Sequence, residues 1–457
     1  MWDNPYYFFR IPHTDRVGNR IYKEIIVNVI QSAKYRDPKK DLRNVLDVLI
    51  GYDSEYAIKS VLDFGCGKLR TVNFVVNRGK KNVIVDYKDI LAKHKYLQDK
   101  LKNLEKNKLF TRMNFPLPFI NDTSKFDLCL LINVLPIMPV FLERLLVLQI
   151  LHEKITNKKF LLWYAMSNAT VYKKRERTNA YTLGDGMWIG KGKYKTFYKY
   201  HPPDFITLLM YLSGFHLERI FKVSSVDALL YRRTHYNLFE GIITRSSIEE
   251  IVKSSMVIEN GKITPIVEEN VEVNPFPDGF NIYNIIRNIF ENLPTGREES
   301  YPNFFKRLIA GIFQFIFFKQ LMEMEIEDPI DDGQEFVDIT FQTTGVRGFF
   351  TKLQETYKVM CPIIFIECKN KGSKLTNTEY QQLYYRFDDF RGKFGIIVCR
   401  DKVDEKDVLS HTKPKIKKGY YVIVLDEKDI LKLLKLKLED GEEAVNVYFE
   451  RKKSKNY

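Results

Sequence analysis

Short, dense apolar runs alternate along this chain with stretches whose apolar residues recur every third or fourth position, a pattern that predicts strands and amphipathic helices in turn. Residues 61–64, 82–85 and 126–133 read as strands, the last with the apolar density of a strand buried on both faces. A helix-compatible stretch at 71–77 separates the first two. Strand, helix and strand in series imply a doubly wound α/β sheet. Ahead of it, residues 1–60 read as a mainly helical cap, with helical spacing over 22–29 and 42–49. Behind it, residues 172–200 interleave Lys173, Lys174, Arg175 and Arg177 with Trp188, Tyr194, Phe197 and Tyr198, and Gly184, Gly186, Gly190 and Gly192 mark the stretch as loop. Such a loop suits a nucleic-acid or substrate lid, and equally a solvated basic surface whose rings cover the sheet. A helix over 205–212 follows, with Asp204 at its N-cap.

The second half repeats the alternation in another order. A strongly apolar helix over 303–323 leads into strands at 335–341, 363–366, 394–399 and 420–425, then a last helix over 427–436 and a disordered basic tail at 451–455. At 457 residues the chain exceeds what one core organises. The expected division is 1–233, a connector or small subdomain at 234–295, and 296–457.

Charge adds a partner class. Lys and Arg number 72 against 58 Asp and Glu, a net charge of +14 that favours a polyanion such as nucleic acid. The five cysteines have no Cys-x-x-Cys spacing, which argues against a disulfide framework or structural zinc and for a reducing cytosol. The start carries no basic-then-apolar leader, and the most lipid-like run, 308–318, is too short to span a bilayer, so the expectation is a cytoplasmic protein with no membrane partner.

Two constellations carry candidate chemistry. The first is Asp63-x-Gly65-x-Gly67 at a strand end, with Asp86 ending the next strand about 20 residues on, where an acid accepts from ribose hydroxyls. These residues resemble the Rossmann-like S-adenosylmethionine-dependent methyltransferases over 60–133 and more loosely to 233. The resemblance implies that Asp63, Gly65 and Gly67 cradle the methionine part of the cofactor and that Asp86 holds its ribose. Lys68-Leu69-Arg70 stands where the family often has a third glycine, and Asn133-Val134-Leu135-Pro136 lacks the Pro-Pro-aromatic clamp of the DNA amino-methylating enzymes. Protective DNA methylation is therefore unsupported, and a methyltransferase-shaped domain without methyl transfer is the bland alternative.

The second constellation is Glu367-x-Lys369 at the end of the apolar run 363–366, with Asp338 on the preceding strand and Gln381-x-x-x-Tyr385 downstream. Side chains alternate along a strand, so Glu367 and Lys369 leave on one face. Over 300–434 this is similar to a restriction-endonuclease-fold nuclease of the PD-(D/E)XK type, close to its Mrr-type branch. The resemblance implies that Asp338 and Glu367 hold Mg2+ with the Cys368 carbonyl, that Lys369 stands beside the attacking water, and that Gln381 orients phosphate or water. Glu298 or Glu299 is a candidate further acid, and Lys371, Lys374, Arg386, Arg391 and Lys393 are candidate grips on the phosphate backbone. The purely structural alternative is that Glu367 and Lys369 merely pair at a strand end.

The expectation is thus an α/β chain with an N-terminal Rossmann-like methyltransferase domain and a C-terminal restriction-endonuclease-like domain. Its leading reading is a Mg2+-dependent DNA endonuclease of a prokaryotic restriction or defence type, whose S-adenosylmethionine-binding domain senses or modifies. A homodimer cutting both strands is left open. The alternative is a methyltransferase acting on nucleic acid or a small molecule, with the nuclease fold serving only DNA binding; a third reading is a DNA-binding scaffold with both sites silent.

Overall fold

The computed structural model describes residues 6–14, 17, 20–28, 40–88, 95–165, 180–183, 186–189, 194–223, 226–240, 256–259, 262–265, 278–296, 300–330, 335–372 and 374–455. The chain divides into two compact units, Met1–Asp278 and Gly279–Tyr457.

Unit 1 is built on a seven-stranded sheet: β1 (Ser60–Phe64), β2 (Lys81–Tyr87), β3 (Phe110–Phe115), β4 (Phe126–Ile132), β5 (Ile155–Tyr164), β6 (Phe215–Val223) and β7 (Val226–Arg233). Its spatial order is β6-β7-β5-β4-β1-β2-β3. The first five strands are parallel, and β7 and β6 extend the β5 edge antiparallel. The order 3-2-1-4-5 of those five is that of a doubly wound, Rossmann-like sheet, whose winding reverses between β1 and β4. Helix α1 (Lys40–Ile50) lays Leu42, Val45, Leu46 and Leu49 against Val61, Leu128, Leu130 and Leu162, so its apolar stripe covers the sheet centre. Helices α2 (Val72–Val76) and α3 (Lys95–Leu104) close a second core around Ile84 and Phe110.

Several expectations for this unit change. The helical spacing at 22–29 gives way to a strand, Arg20–Asn28, paired antiparallel with Tyr6–Thr14. A run holding Ile21, Ile25, Ile26 and Val27 is too short for periodicity to separate helix from strand, and its β-branched residues favour the latter. The glycine-marked stretch 172–200 contributes strands Ala180–Leu183, Gly186–Ile189 and Tyr194–Tyr198 to the same five-stranded sheet, while 172–179 lie outside the described residues. Helix α5 (Phe141–Lys154) follows the short α4 (Leu117–Asn121) and is buried almost all round. Helix α6 (Pro203–Leu212) starts one residue before Asp204, whose carboxylate accepts from Phe205 N at 2.8 Å inside the first turn and does not act as N-cap.

In unit 2, α7 (Asp278–Asn292) and α8 (Ser300–Ile316) precede a five-stranded sheet in sequential order: β8 (Leu321–Ile330), β9 (Glu335–Thr343), β10 (Ile363–Lys369), β11 (Phe394–Cys399) and β12 (Tyr421–Asp426). The first three strands are antiparallel and the last three parallel. The helix expected over 303–323 stops at Ile316. From Leu321 the residues alternate Leu-Met-Glu-Met-Glu-Ile-Glu and pair with β9, a period of two that no helix can bury. Residues 298 and 299 lie outside the described residues.

Two helical layers sandwich this sheet. Tyr380, Leu383 and Tyr384 of α10 (Asn377–Tyr385) and Val408 of α11 (Glu405–Ile416) pack on Phe365, Ile397, Cys399, Val422 and Val424. A phenylalanine cluster fills the other face: Phe317 just after α8, Phe349 and Phe350 from α9 (Phe349–Glu355), Phe394 from β11, and Phe449 from the last helix. That last helix, α13 (Glu442–Lys455), occupies the stretch expected as a disordered tail, and Lys452 Nζ is held by Asp429 at 2.6 Å. Preceding it, α12 (Glu427–Asp440) opens on a capping box between Asp426 and Asp429. Asp426→Ala removes that cap and should lower stability by about 1 kcal/mol, read as a lower urea midpoint.

Candidate functional site

In unit 1 the chemistry collects at the carboxyl ends of β1 and β2, beside the point where the strand order reverses, the usual ligand crevice of such sheets. The turn after β1 is stitched to β2: Gly65 N and Cys66 N both donate to Val85 O, at 2.8 and 3.3 Å. Gly65 and Gly67 hold φ of +71° and +51°, a region that side chains with a Cβ rarely enter. A Cβ on Gly65 would also come within 2.5 Å of Val134 Cγ2, so glycine is required for the turn to close against the segment following β4.

All four residues expected here come together. Asp86 Oδ2 accepts from Gly67 N at 2.7 Å and Oδ1 from Tyr87 N at 2.8 Å, while Asp63 accepts from the Thr71 hydroxyl. Both carboxyls are buried, and burial pushes each up to about 6; the Thr71 hydroxyl opposes this at Asp63, and the backbone donors oppose it at Asp86. Beside them, Asn114 on β3 is the register partner of Asp86, and its buried Oδ1 has no hydrogen-bond partner among the described residues. Asn114 and Thr71 escaped the reading of the sequence. A polar residue ending the strand after Asp86 was the available signal.

These groups are rich in acceptors, which suits a ligand that presents donors. Ribose hydroxyls and an exocyclic amine are donors of that kind, so the residues fit the nucleoside part of S-adenosylmethionine. Asn133 closes β4 at φ +59°, its N–H bonded to Tyr164 O at 2.8 Å.

In unit 2 the expected acid and lysine are adjacent, and each is already partnered. Lys369 Nζ lies 3.2 Å from Glu367 Oε2 and 3.2 Å from Gln382 Oε1, and the Arg386 guanidinium meets Glu367 Oε1. Asp338 Oδ2 accepts from Cys368 N at 2.9 Å, and its Oδ1 pairs with Lys306 Nζ of α8 at 3.0 Å. Gln381 instead donates to Asn377 Oδ1 on its own helix at 3.3 Å, because a one-residue step on a helix turns the side chain by about 100°. The amide at the lysine is that of Gln382.

A divalent ion needs oxygen ligands free of competing cations. Here Glu367 is engaged by Arg386 and Lys369 and Asp338 by Lys306, and among the described residues no group of three metal-ligating side chains converges. As arranged, Asp338, Glu367 and Cys368 do not fit Mg2+. Of the expected phosphate grips, Lys371 pairs with Glu379, and Arg386 is buried against Glu367. Arg391 and Lys393 sit at the opposite end of β10, where Lys393 N bonds Met360 O at 2.7 Å, roughly 20 Å along the strand from Lys369.

No protein-family pattern matches the chain, and no curated protein matches it. Among solved structures it is similar to the PH0226 protein from Pyrococcus horikoshii OT3, at 18% identity over 43% of this chain and 92% of that one, with a TM-score of 0.34. It is similar also to the CcbJ methyltransferase from Streptomyces caelestis, at 15% identity over 45% and 95%, with a TM-score of 0.34. A third is a SAM-dependent methyltransferase from Methanosarcina mazei, at 11% identity over 44% and 99%, with a TM-score of 0.31. At these scores the likeness adds nothing to the strand order already described.

The buried pair makes a quantitative demand. Arg386→Ala leaves the buried Glu367 carboxylate with only the more exposed Lys369 and should lower stability by about 3 kcal/mol in urea unfolding, whereas Lys369→Ala should have a clearly smaller effect.

Proposed function

We propose that unit 1 binds S-adenosylmethionine in the crevice beside Gly65–Gly67 and transfers its methyl group to a nucleic acid or a small molecule, and that unit 2 serves to bind DNA. The observation that carries this is the Gly67 N–H to Asp86 bond, which sets a glycine turn and a buried acid together at the strand ends. Asp86 would accept from the ribose hydroxyls, Asn114 Oδ1 from an amine, and Gly65 and Gly67 would let the backbone approach the methionine part. Bound S-adenosylmethionine supplies an electrophilic methyl; the chain's own contribution is to orient it. Most of the net charge of +14 lies in unit 1; residues 279–457 carry 29 Lys and Arg against 28 Asp and Glu, so the reading of unit 2 rests on where its cations stand and not on their excess. Among the described residues no helix is long and apolar enough to cross a membrane.

Calorimetric titration with S-adenosylmethionine should give a saturable heat that Asp86→Ala abolishes; a flat titration of the unaltered chain would sink the assignment. Affinity should rise with pH through about 6, because a hydroxyl donor needs the ionised carboxylate, and burial holds Asp63 and Asp86 protonated to about that pH.

The endonuclease reading draws on the same three side chains, Asp338, Glu367 and Lys369. With their oxygens engaged by cations, supercoiled plasmid incubated with Mg2+ should stay intact. Nicking that disappears in Glu367→Ala would replace the present reading with the endonuclease.

A further inference from the structure

The feature of unit 2 that neither site accounts for is the end of its sheet where the parallel strands begin. Phe390 is 91% exposed, the most exposed large apolar side chain among the described residues. It is not on a slack loop. Asp388 Oδ1 accepts from Phe390 N at 2.7 Å and Arg391 N at 2.6 Å, and Asp388 and Gly392 exchange backbone bonds of 3.2 and 3.1 Å. The ring is therefore held out on a rigid tip, against its own hydration preference.

Because β10, β11 and β12 are parallel neighbours, the turns that feed them lie side by side. Ile363 N bonds Arg391 O at 3.2 Å, and Tyr421 N bonds Lys393 O at 2.9 Å. The adjoining turns carry Lys358 on one side and Lys417 and Lys418 on the other, all exposed and without an acidic partner among the described residues. Arg391 and Lys393 are held by Asp388 and Asp389, so the unpaired charge comes from the flanking lysines. Met360, 52% exposed, widens the apolar surface.

An exposed ring between unpaired ammonium groups fits a polyanion that also presents flat apolar faces. A duplex hides its base faces in the stack, whereas a single strand offers them. We infer that this strand-start end of unit 2 binds single-stranded nucleic acid, a base stacking on Phe390 while Lys358, Lys417 and Lys418 meet phosphates. The inference rests on the reading of unit 2 as a nucleic-acid-binding unit and moves the contact to the end of the sheet away from Glu367.

The test is fluorescence anisotropy of the full chain with a labelled single strand of roughly 16 nucleotides and with its duplex. The unaltered chain should prefer the single strand. Phe390→Ala should weaken that binding roughly tenfold while leaving duplex binding unchanged. The double variant Lys417→Gln/Lys418→Gln should lower the slope of log affinity against log salt by about 1.4, two phosphates at about 0.7 each. Single-strand binding that is indifferent to both variants overturns the inference alone, since the nucleic acid is then held elsewhere on the chain. Binding of neither probe overturns it together with the DNA-binding reading.

Discussion

A buried strand that ends in a carboxylate must bring donors to it, because an ionised oxygen left without them in the interior costs several kcal/mol. Both units meet this constraint on their central strands, and they meet it differently. In unit 1, Asp63 and Asp86 are held by a hydroxyl and by backbone N–H groups. In unit 2, Asp338 and Glu367 are held mainly by cations.

The choice of donor decides what each place can take. Neutral donors leave the unit 1 acids with spare lone pairs and with protons retained to about pH 6, so what they offer at the strand ends is acceptors. Cationic donors neutralise the unit 2 acids, Lys306, Lys369 and Arg386 standing against Glu327, Asp338 and Glu367, which disfavours a metal ion as arranged. The same backbone device, a strand presenting an acid, thus ends in two different electrostatic settings.

Local order also governs how the outer surfaces read. The turns feeding β10, β11 and β12 are aligned by the parallel ladder, so residues distant in sequence, such as Lys358, Phe390 and Lys418, share one end of the sheet. Arg391 and Lys393 join them there. Their nearness in sequence to Lys369 was misleading, since one crossover between parallel strands carries the chain back along the full length of β10.

What could be read from residues alone was whatever depends on short range. The apolar runs located the central strands of both sheets; the Asp63, Gly65 and Gly67 spacing and the Asp86 strand end marked one crevice; alternation placed Glu367 beside Lys369. Ambiguity arose where periodicity is short or borrowed from neighbours. Residues 22–28 become a strand only because another strand lies alongside, and 321–323 leave the helix only because β9 waits for them. Which helix face carries the amide that meets Lys369, whether Arg386 reaches Glu367, and whether Asn114 stands beside Asp86 were settled by packing across many residues. Sequence spacing conveys direction along one element, but the partner of a buried charge is chosen in three dimensions, by which donor the fold brings within reach.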